Sequence, residues 1–434
     1  MTGTMVVAET ASGERSTFQE QRVALDFLVA NLRRNRSGAT VEGLTPSAWD
    51  SVADQAAQQK LGPLAYHRLT AGLDALPIPG PVRERLRTFY AVGQLRNTLL
   101  LRDAVHVIGA LQAAGVPVMV LKGLHLAVQV YSEPGLRTMS DIDIMVPERD
   151  LAKAEHVMVG LGFGPLPRPD LEEFCRRSNH LARLSRPKSV PVEVHWTIER
   201  PTSPFTIDVD ALWRRAQPIA LGGLEVLALS PEDLLLHLCL HTSYHHRFDR
   251  MALKGLVDID MVVAAFEGRL DWRQVARTAR DWNAESYVYS TLRLATMILE
   301  TPVPKAALAS LDRKMEDETI IELARQFALT PIVDLPPGFR EVRASRSLPK
   351  RAASVARGIF LPRRHMRRLY GLRDGSPLVY LYYGVRVFDL LRHRGALGLQ
   401  VLLHTRRVQP ALFREAARKR IAAWVGTTPA TPEE

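Results

Sequence analysis

Three short β-branched runs set the strongest limit on how this chain can fold: Val116-Pro-Val-Met-Val-Leu121, Asp141-Ile-Asp-Ile-Met-Val146 and Val190-Pro-Val-Glu-Val-His-Trp-Thr197. Each is too short for a helix and reads as a strand buried on at least one face. The sequence on both sides is helical in period. Upstream, Val23, Phe27, Leu28 and Leu32 recur at three- and four-residue steps, residues 61–69 and 86–111 behave alike, and Leu76-Pro-Ile-Pro-Gly-Pro81 breaks the pattern. About four helices are expected there. Downstream, Ser230 is a good helix cap before Pro231 and Asp233, and helices are expected over residues 231–246, 251–266, 271–281 and 285–300. Such a chain can form only a small sheet set among helices.

Between the strands, Lys122-Gly123 closes the first run and leads into a short helix over 124–131. Ser132-Glu-Pro-Gly135 makes a turn, Pro147 stops the second strand, and residues 148–161 form an amphipathic helix ending at Gly162. The third run pairs with residues 180–184 through a hairpin at Arg186-Pro-Lys188. The expected class is therefore α+β, a small mixed β-sheet flanked by helical lobes. The expected regions are a helical lead over 1–95, a sheet-bearing unit over 96–215, a helical lobe over 216–333 and a basic C-terminal region over 334–434. That last region has four prolines within 334–376 and an amphipathic segment over 377–393.

Charge matters only once it is located. The net charge is +11, but residues 340–434 hold 20 Lys+Arg against 6 Asp+Glu, and the remainder 37 against 40. The positive charge is a property of the tail. Residues 340–373 carry 11 basic residues and one acid, Glu341, with scattered aromatics. An anionic surface or an acidic acceptor suits such a stretch; with no recognised nucleic-acid motif beside it, DNA or RNA is not the expected partner. No run of 18 apolar residues occurs, because Arg386 and Asp389 interrupt the densest stretch, residues 378–391. The N-terminal residues lack the basic start and apolar run of a secretory signal. Two cysteines, Cys175 and Cys239, make no disulfide framework. A cytoplasmic protein without a membrane span is expected.

The chemistry concentrates in the strands. In Ser140-Asp141-Ile142-Asp143-Ile144, alternation puts both aspartates on one face and both isoleucines on the other. Adjacent carboxylates repel unless a cation lies between them, and a hard divalent ion accepts carboxylates together with phosphate oxygens. Exposed acids on a strand edge are the plainer reading of Asp-x-Asp, but the flanking apolar residues favour a buried strand. In Val192-Glu193-Val194-His195-Trp196 the same alternation puts Glu193 and His195 on one face. Beside the first strand, Glu193 becomes a third carboxylate, and three acids can hold two ions that stabilise both oxygens of a phosphoryl displacement. His195 is either a structural histidine or a substrate contact. Lys122-Gly123 stands at a strand-to-helix junction, where backbone N–H groups favour an anion.

Together, Leu121-Lys122-Gly123, Tyr131, Pro134-Gly135-Leu136-Arg137, Asp141-Ile142-Asp143 and Glu193-Val194-His195-Trp196 resemble the nucleotidyltransferase superfamily with the polymerase-β-like palm. In particular they are similar to the bacterial family described as uncharacterised nucleotidyltransferases. His237-Leu-Cys-Leu-His241 and Leu256-Val-Asp258 look similar too. The resemblance spans about residues 95–265. It implies a palm over 96–215 and Mg²⁺-dependent, or Mn²⁺-dependent, transfer of a nucleoside monophosphate from an NTP, ATP foremost, to a small-molecule or peptide acceptor with release of pyrophosphate. Asp141, Asp143 and Glu193 would hold the metal and carry catalysis, with Glu193 orienting or deprotonating the acceptor hydroxyl. The superfamily's commoner Gly-Ser turn is replaced here by Lys-Gly with a longer helix before the acids. Lys122, Gly123, Arg137 and Ser140 are the nucleotide-binding candidates, Lys122 and Arg137 for charge, with surface positions as the alternative.

His195, His241, Lys254 and Asp258 are candidates for substrate contact. His237, His241 and His245 recur at four-residue steps, but without a fourth ligand a helix packed beside the palm is the stronger reading than zinc. Lys254 and Asp258 would ordinarily form a helix surface pair. Two alternatives stand beside the transferase: a non-catalytic nucleotide-binding or regulatory protein that uses its basic tail for a partner, and transfer of the terminal phosphoryl group on the same scaffold.

Overall fold

Five strands form one mixed sheet in the order β3-β2-β1-β5-β4: β1 Met119–Val120, β2 Ile142–Met145, β3 Val192–His195, β4 Gln217–Leu221 and β5 Leu224–Ala228. The computed structural model describes residues 19–36, 39–70, 76–164, 178–181, 183–187, 189–249, 251–311, 318–331, 360–373, 376–388 and 409–427. The expectations for the first 18 residues, Cys175, Lys188, most of the stretch 340–373 and the end of 377–393 fall outside the described residues.

Register is what positions the chemistry. β2 and β3 run parallel with Asp143 opposite Glu193 and Met145 opposite His195. β1 is antiparallel to β2 and parallel to β5. Ile142, Ile144, Val192 and Val194 are fully buried against Val107, Ile108 and Leu111 of helix α1 (Gly80–Ala113), with Leu124 from α2 (Lys122–Gln129) and Ala154 and Met158 from α3 (Leu151–Gly160). Each such aliphatic side chain stabilises the fold by about 1.5–3 kcal/mol. That burial assigns the opposite face of β2 and β3 to Asp143, Glu193 and His195. α3 supplies the crossover that parallel strands require.

Two boundaries differ from the sequence reading. α1 runs unbroken through residue 95, where the helical lead was expected to end, because its buried face continues from Val82 to Leu111. The sheet continues beyond residue 215 through the β4–β5 hairpin. Gly222 and Gly223 turn that hairpin with φ of 54° and 86°, a two-residue turn in the left-handed region that matches the twist of the strands.

The helical lead forms its four helices, over residues 19–32, Pro46–Gln58, Gly62–Thr70 and α1. The lobe after the sheet is built on α4 (Pro231–Leu240), α5 (Ala252–Ala265) and α6 (Glu285–Leu299). Ser230 caps α4, its hydroxyl accepting from the Asp233 N–H at 3.2 Å. The architecture is α+β. The chain divides into two compact units, one holding Glu20–Leu329 and the residues from Arg420 onward, the other holding Thr330–Lys419. In the first, the Tyr287 hydroxyl donates to the Val425 carbonyl at 3.0 Å. In the second, the helix Arg363–Leu369 packs on a helix over residues 379–388 through Tyr370 and Tyr382, with ring centroids 4.8 Å apart. Among the described residues no helix is long and apolar enough to cross a membrane.

Candidate active site

Asp143 lies at the middle of the polar face, buried between two donors. Lys122 Nζ and His195 Nε2 both donate to its Oδ1, each at 3.1 Å. Lys122 reaches it from the β1–α2 junction, where its backbone adopts φ 39°, a left-handed conformation that costs a side-chain-bearing residue about 1 kcal/mol or more. Burial alone would raise the pKa of Asp143; the Lys122 ammonium and the His195 hydrogen bond outweigh it and hold the carboxyl well below its usual range. Glu193, its register partner, is shifted up, first by burial and then by the Asp143 charge beside it. The two carboxylates thus differ in proton affinity.

His195 is held neutral, its pKa lowered to about 4 by burial and next by Lys122. Asn179 sets its tautomer. The Asn179 amide donates to the Ile198 carbonyl at 3.3 Å and lies 3.5 Å from His195 Nδ1, so Nδ1 accepts and Nε2 carries the proton given to Asp143.

At the rim, Asp141 precedes β2 and is half-buried. Its Oδ2 accepts from Arg183 Nη2 at 3.0 Å and from Ser140 Oγ at 3.1 Å, and Arg183 Nε lies 3.8 Å from Glu193 Oε1. Ligand atoms of Asp143, Glu193 and His195 lie within 4.8 Å of one another. Asp141, expected beside Asp143 and Glu193, is not in that cluster, and His195 is; Arg183 and Ser140 hold the Asp141 carboxylate at the rim instead.

Arg137 is placed differently from the sequence reading, which put it forward for phosphate. Its Nε and Nη2 donate to Asp258 Oδ1 and Oδ2 at 3.0 and 2.9 Å, and the Tyr131 hydroxyl donates to the same Oδ1 at 2.7 Å. Lys254 Nζ lies 3.6 Å from Asp258 Oδ2. All four groups are buried, so Lys254 and Asp258 are an internal pair and not the surface pair their spacing suggests. The reason is α5, which turns both positions inward, where Arg137 and Tyr131 meet the Asp258 carboxylate. Burial, and next Arg137, lower the Lys254 pKa to about 8. Gly123 makes room for this network: a Cβ there would lie 2.6 Å from Arg137 Nη1.

Beyond α4 the chain widens into one π turn over His241–His245, a distortion that recurs at functional sites. His241 Nε2 and His246 Nε2 are 3.1 Å apart, His245 Nε2 is 3.0 Å from Glu199 Oε1, and neither ring nitrogen of buried His237 has a protein partner. His237, His241 and His245 do not converge on a common point, and among the described residues the only group of metal-competent side chains is that around Asp143. Burial is the first cause lowering the pKa of His125, His195 and His246, each to about 4, and it also lowers His237 and His241. An unfolded chain protonates these rings near pH 6.5, whereas the folded one protonates His125, His195 and His246 only near 4 and holds His237 and His241 well below 6.5, so the unfolded state binds more protons in between. Stability is therefore expected to fall as pH drops from about 6.5 toward 4, read as a steadily falling urea midpoint; a flat midpoint over that range would contradict the buried neutral rings.

The donor set suits a divalent cation: two carboxylates paired across neighbouring strands, with the Lys122 ammonium already 3.1 Å from Asp143 Oδ1 as an internal counter-ion. Residues 45–300 match the family profile described as "Uncharacterised nucleotidyltransferase". The chain belongs to that family. This nucleotidyltransferase-family chain has no match among curated proteins. Among solved structures it is similar to the antibiotic-resistance factor ANT(2'')-Ia, at 10% identity over 42% of this chain and 96% of the other, TM-score 0.29. It is also similar to an antigenic nucleotidyltransferase-like protein from Paracoccidioides brasiliensis, at 18% identity over 49% and 93%, TM-score 0.32. Neither likeness is close enough to carry over a residue or a substrate.

Asn179, Arg183 and Glu199 were not legible as site residues. Asn179 and Arg183 lie in an irregular segment that bridges β3 at His180–His195 and at Leu184–Val192, and those bridges bring them to the acids.

Proposed function

We propose that this protein transfers a nucleoside monophosphate from an NTP, ATP foremost, to a small-molecule or peptide acceptor and releases pyrophosphate. The observation that carries the reading is the facing of Asp143 and Glu193 across β2 and β3, with Lys122 against the first and Asp141 at the rim. Asp143 and Glu193, joined by Asp141, would hold Mg²⁺ or Mn²⁺, which when bound supplies charge stabilisation on the phosphoryl oxygens. Glu193, the less buried of the two paired carboxylates, takes the proton of the acceptor hydroxyl. The acceptor oxygen then bonds to the α-phosphorus, the bond from that phosphorus to the bridging oxygen breaks, and pyrophosphate leaves. His195 orients Asp143, and the Arg137–Asp258–Lys254 network holds the turn ahead of Ser140. Gly123 and Ser140, next in the chain to Lys122 and Asp141, would contact the nucleotide, and His241 on the π turn would contact the substrate.

Lys122 and Arg183 neutralise the acids until a metal-bound triphosphate arrives, and then turn to its phosphates. Their removal should act in opposite directions on two equilibria. Lys122→Met should tighten Mn²⁺ binding without nucleotide by roughly tenfold, and Arg183→Ala, being half-exposed, by about threefold, while both weaken NTP binding. Titrations followed by the Mn²⁺ resonance check this; parallel losses of both affinities would mean that the two cations serve only to hold the fold.

The direct assay mixes the protein with Mg²⁺ and each labelled triphosphate and measures pyrophosphate with and without cell extract. Pyrophosphate that disappears in Asp141→Asn supports the reading. No nucleotide binding, and no effect of that substitution, would leave the non-catalytic alternative.

A further inference from the structure

A second surface lies in the other unit, unrelated to the acids. Eleven large hydrophobic side chains are exposed among the described residues, and seven of them fall within residues 360–388: Phe360, Leu369, Leu378, Tyr380, Leu381, Val385 and Phe388. Four form a stripe. Leu378, Leu381, Val385 and Phe388 recur at i, i+3, i+7 and i+10, and are 53%, 67%, 38% and 62% exposed. A helix that packs on a globular body turns such a stripe inward. This helix instead turns Val379 inward and packs Tyr382 and Tyr383 on Tyr370 and Phe360, leaving the longer stripe, about 15 Å at 1.5 Å per residue, on the outside.

The charge around it is mostly positive. Residues 360–388 contain six arginines and one acid, Asp374. Arg363 and Arg364 are exposed on the neighbouring helix, and the Arg363 guanidinium stands 5.1 Å over the Tyr380 ring. We infer that this face docks on an anionic lipid bilayer, with the Leu378–Phe388 stripe in the headgroup–acyl boundary and the arginines on the acidic headgroups. Apolar side chains flanked by arginine and tyrosine are the composition of a helix lying in the membrane interface. A second copy of this chain would bring the same arginines against themselves, and a nucleic acid would have no use for the apolar stripe. The helix lies on the membrane and does not cross it.

The test uses the full-length protein in sedimentation with vesicles of phosphatidylcholine alone, or with about one-third phosphatidylglycerol. Binding to the anionic vesicles only, weakened by salt, is expected. Leu381→Asp with Phe388→Asp should abolish it, and Arg363→Ala with Arg364→Ala should weaken it roughly thirtyfold, about fivefold per arginine. Melting curves identical to the parent show that the substituted surface was not supporting the fold. Should those stripe substitutions lower the Tm, the milder Leu381→Ser read in the same assay replaces them and is expected to weaken binding at least fivefold. Equal binding by parent and stripe variants, no binding to either vesicle, or a dimer in light scattering that the stripe substitutions dissolve would each overturn the assignment.

Discussion

Asp143→Asn is expected to lower turnover by about three powers of ten or more, with the protein still folded. The substitution keeps the shape of the side chain and removes the charge against which Lys122 and His195 are set. Under the proposed chemistry that charge is the main anchor of the divalent ion, and loss of several kcal/mol of transition-state stabilisation corresponds to such a factor. Some stability should go too, because the Lys122 ammonium, with a side chain only 14% exposed, is left without its partner. The two effects separate in a double variant. Lys122→Met in the Asp143→Asn background should restore the melting temperature and leave turnover at the floor. Recovery of both together would mean that Asp143 acts through folding alone.

The second large effect is on stability. Asp258→Ala removes the one carboxylate that Arg137, Lys254 and Tyr131 share. Burial alone would raise the pKa of Asp258, but Arg137 and then Lys254 outweigh it and hold it low, so the ion is strongly stabilised where it sits. Removing one partner of a buried pair costs about 3–5 kcal/mol, because the remaining charge is left uncompensated. Here two cations lose their partner at once. Urea unfolding should show a free energy of unfolding lower by that amount, read as a lowered midpoint with an unchanged slope, and a double Arg137→Met, Asp258→Leu variant should lose less than Asp258→Ala. A loss below about 1 kcal/mol would mean that the network is not the brace between the Pro134 turn and α5.

The strands and their chemistry were readable because they depend on alternation alone. Ile142 and Ile144 against Asp143, and Val192 and Val194 against Glu193, follow from a two-residue period, and burial of the aliphatic face then assigns the other. The β4–β5 hairpin also carries a local signal: Gly222-Gly223 stands between Ile219-Ala-Leu221 and Leu224-Glu-Val226, a pattern that favours a two-residue turn. What one sequence could not show is pairing at a distance. Arg137 and Asp258 are separated by 121 residues, and only the fold, by bringing Asp258 of α5 to that arginine, takes it from the phosphate candidates into a buried brace. Arg183 reaches Asp141 only after its segment has folded back to bridge β3.

The proposed reaction moves a nucleoside monophosphate from an NTP to an acceptor at Asp143 and Glu193. It is tested most directly by supplying ATP labelled at either the α- or the γ-phosphate, with Mg²⁺ and cell extract as the source of acceptor, and weighing the labelled product. The α-label is expected to enter a product heavier by a nucleoside monophosphate, the γ-label to leave as pyrophosphate, and both signals to vanish in Asp143→Asn. A product carrying γ-label and heavier by one phosphate, or the same products from Asp143→Asn, would contradict it.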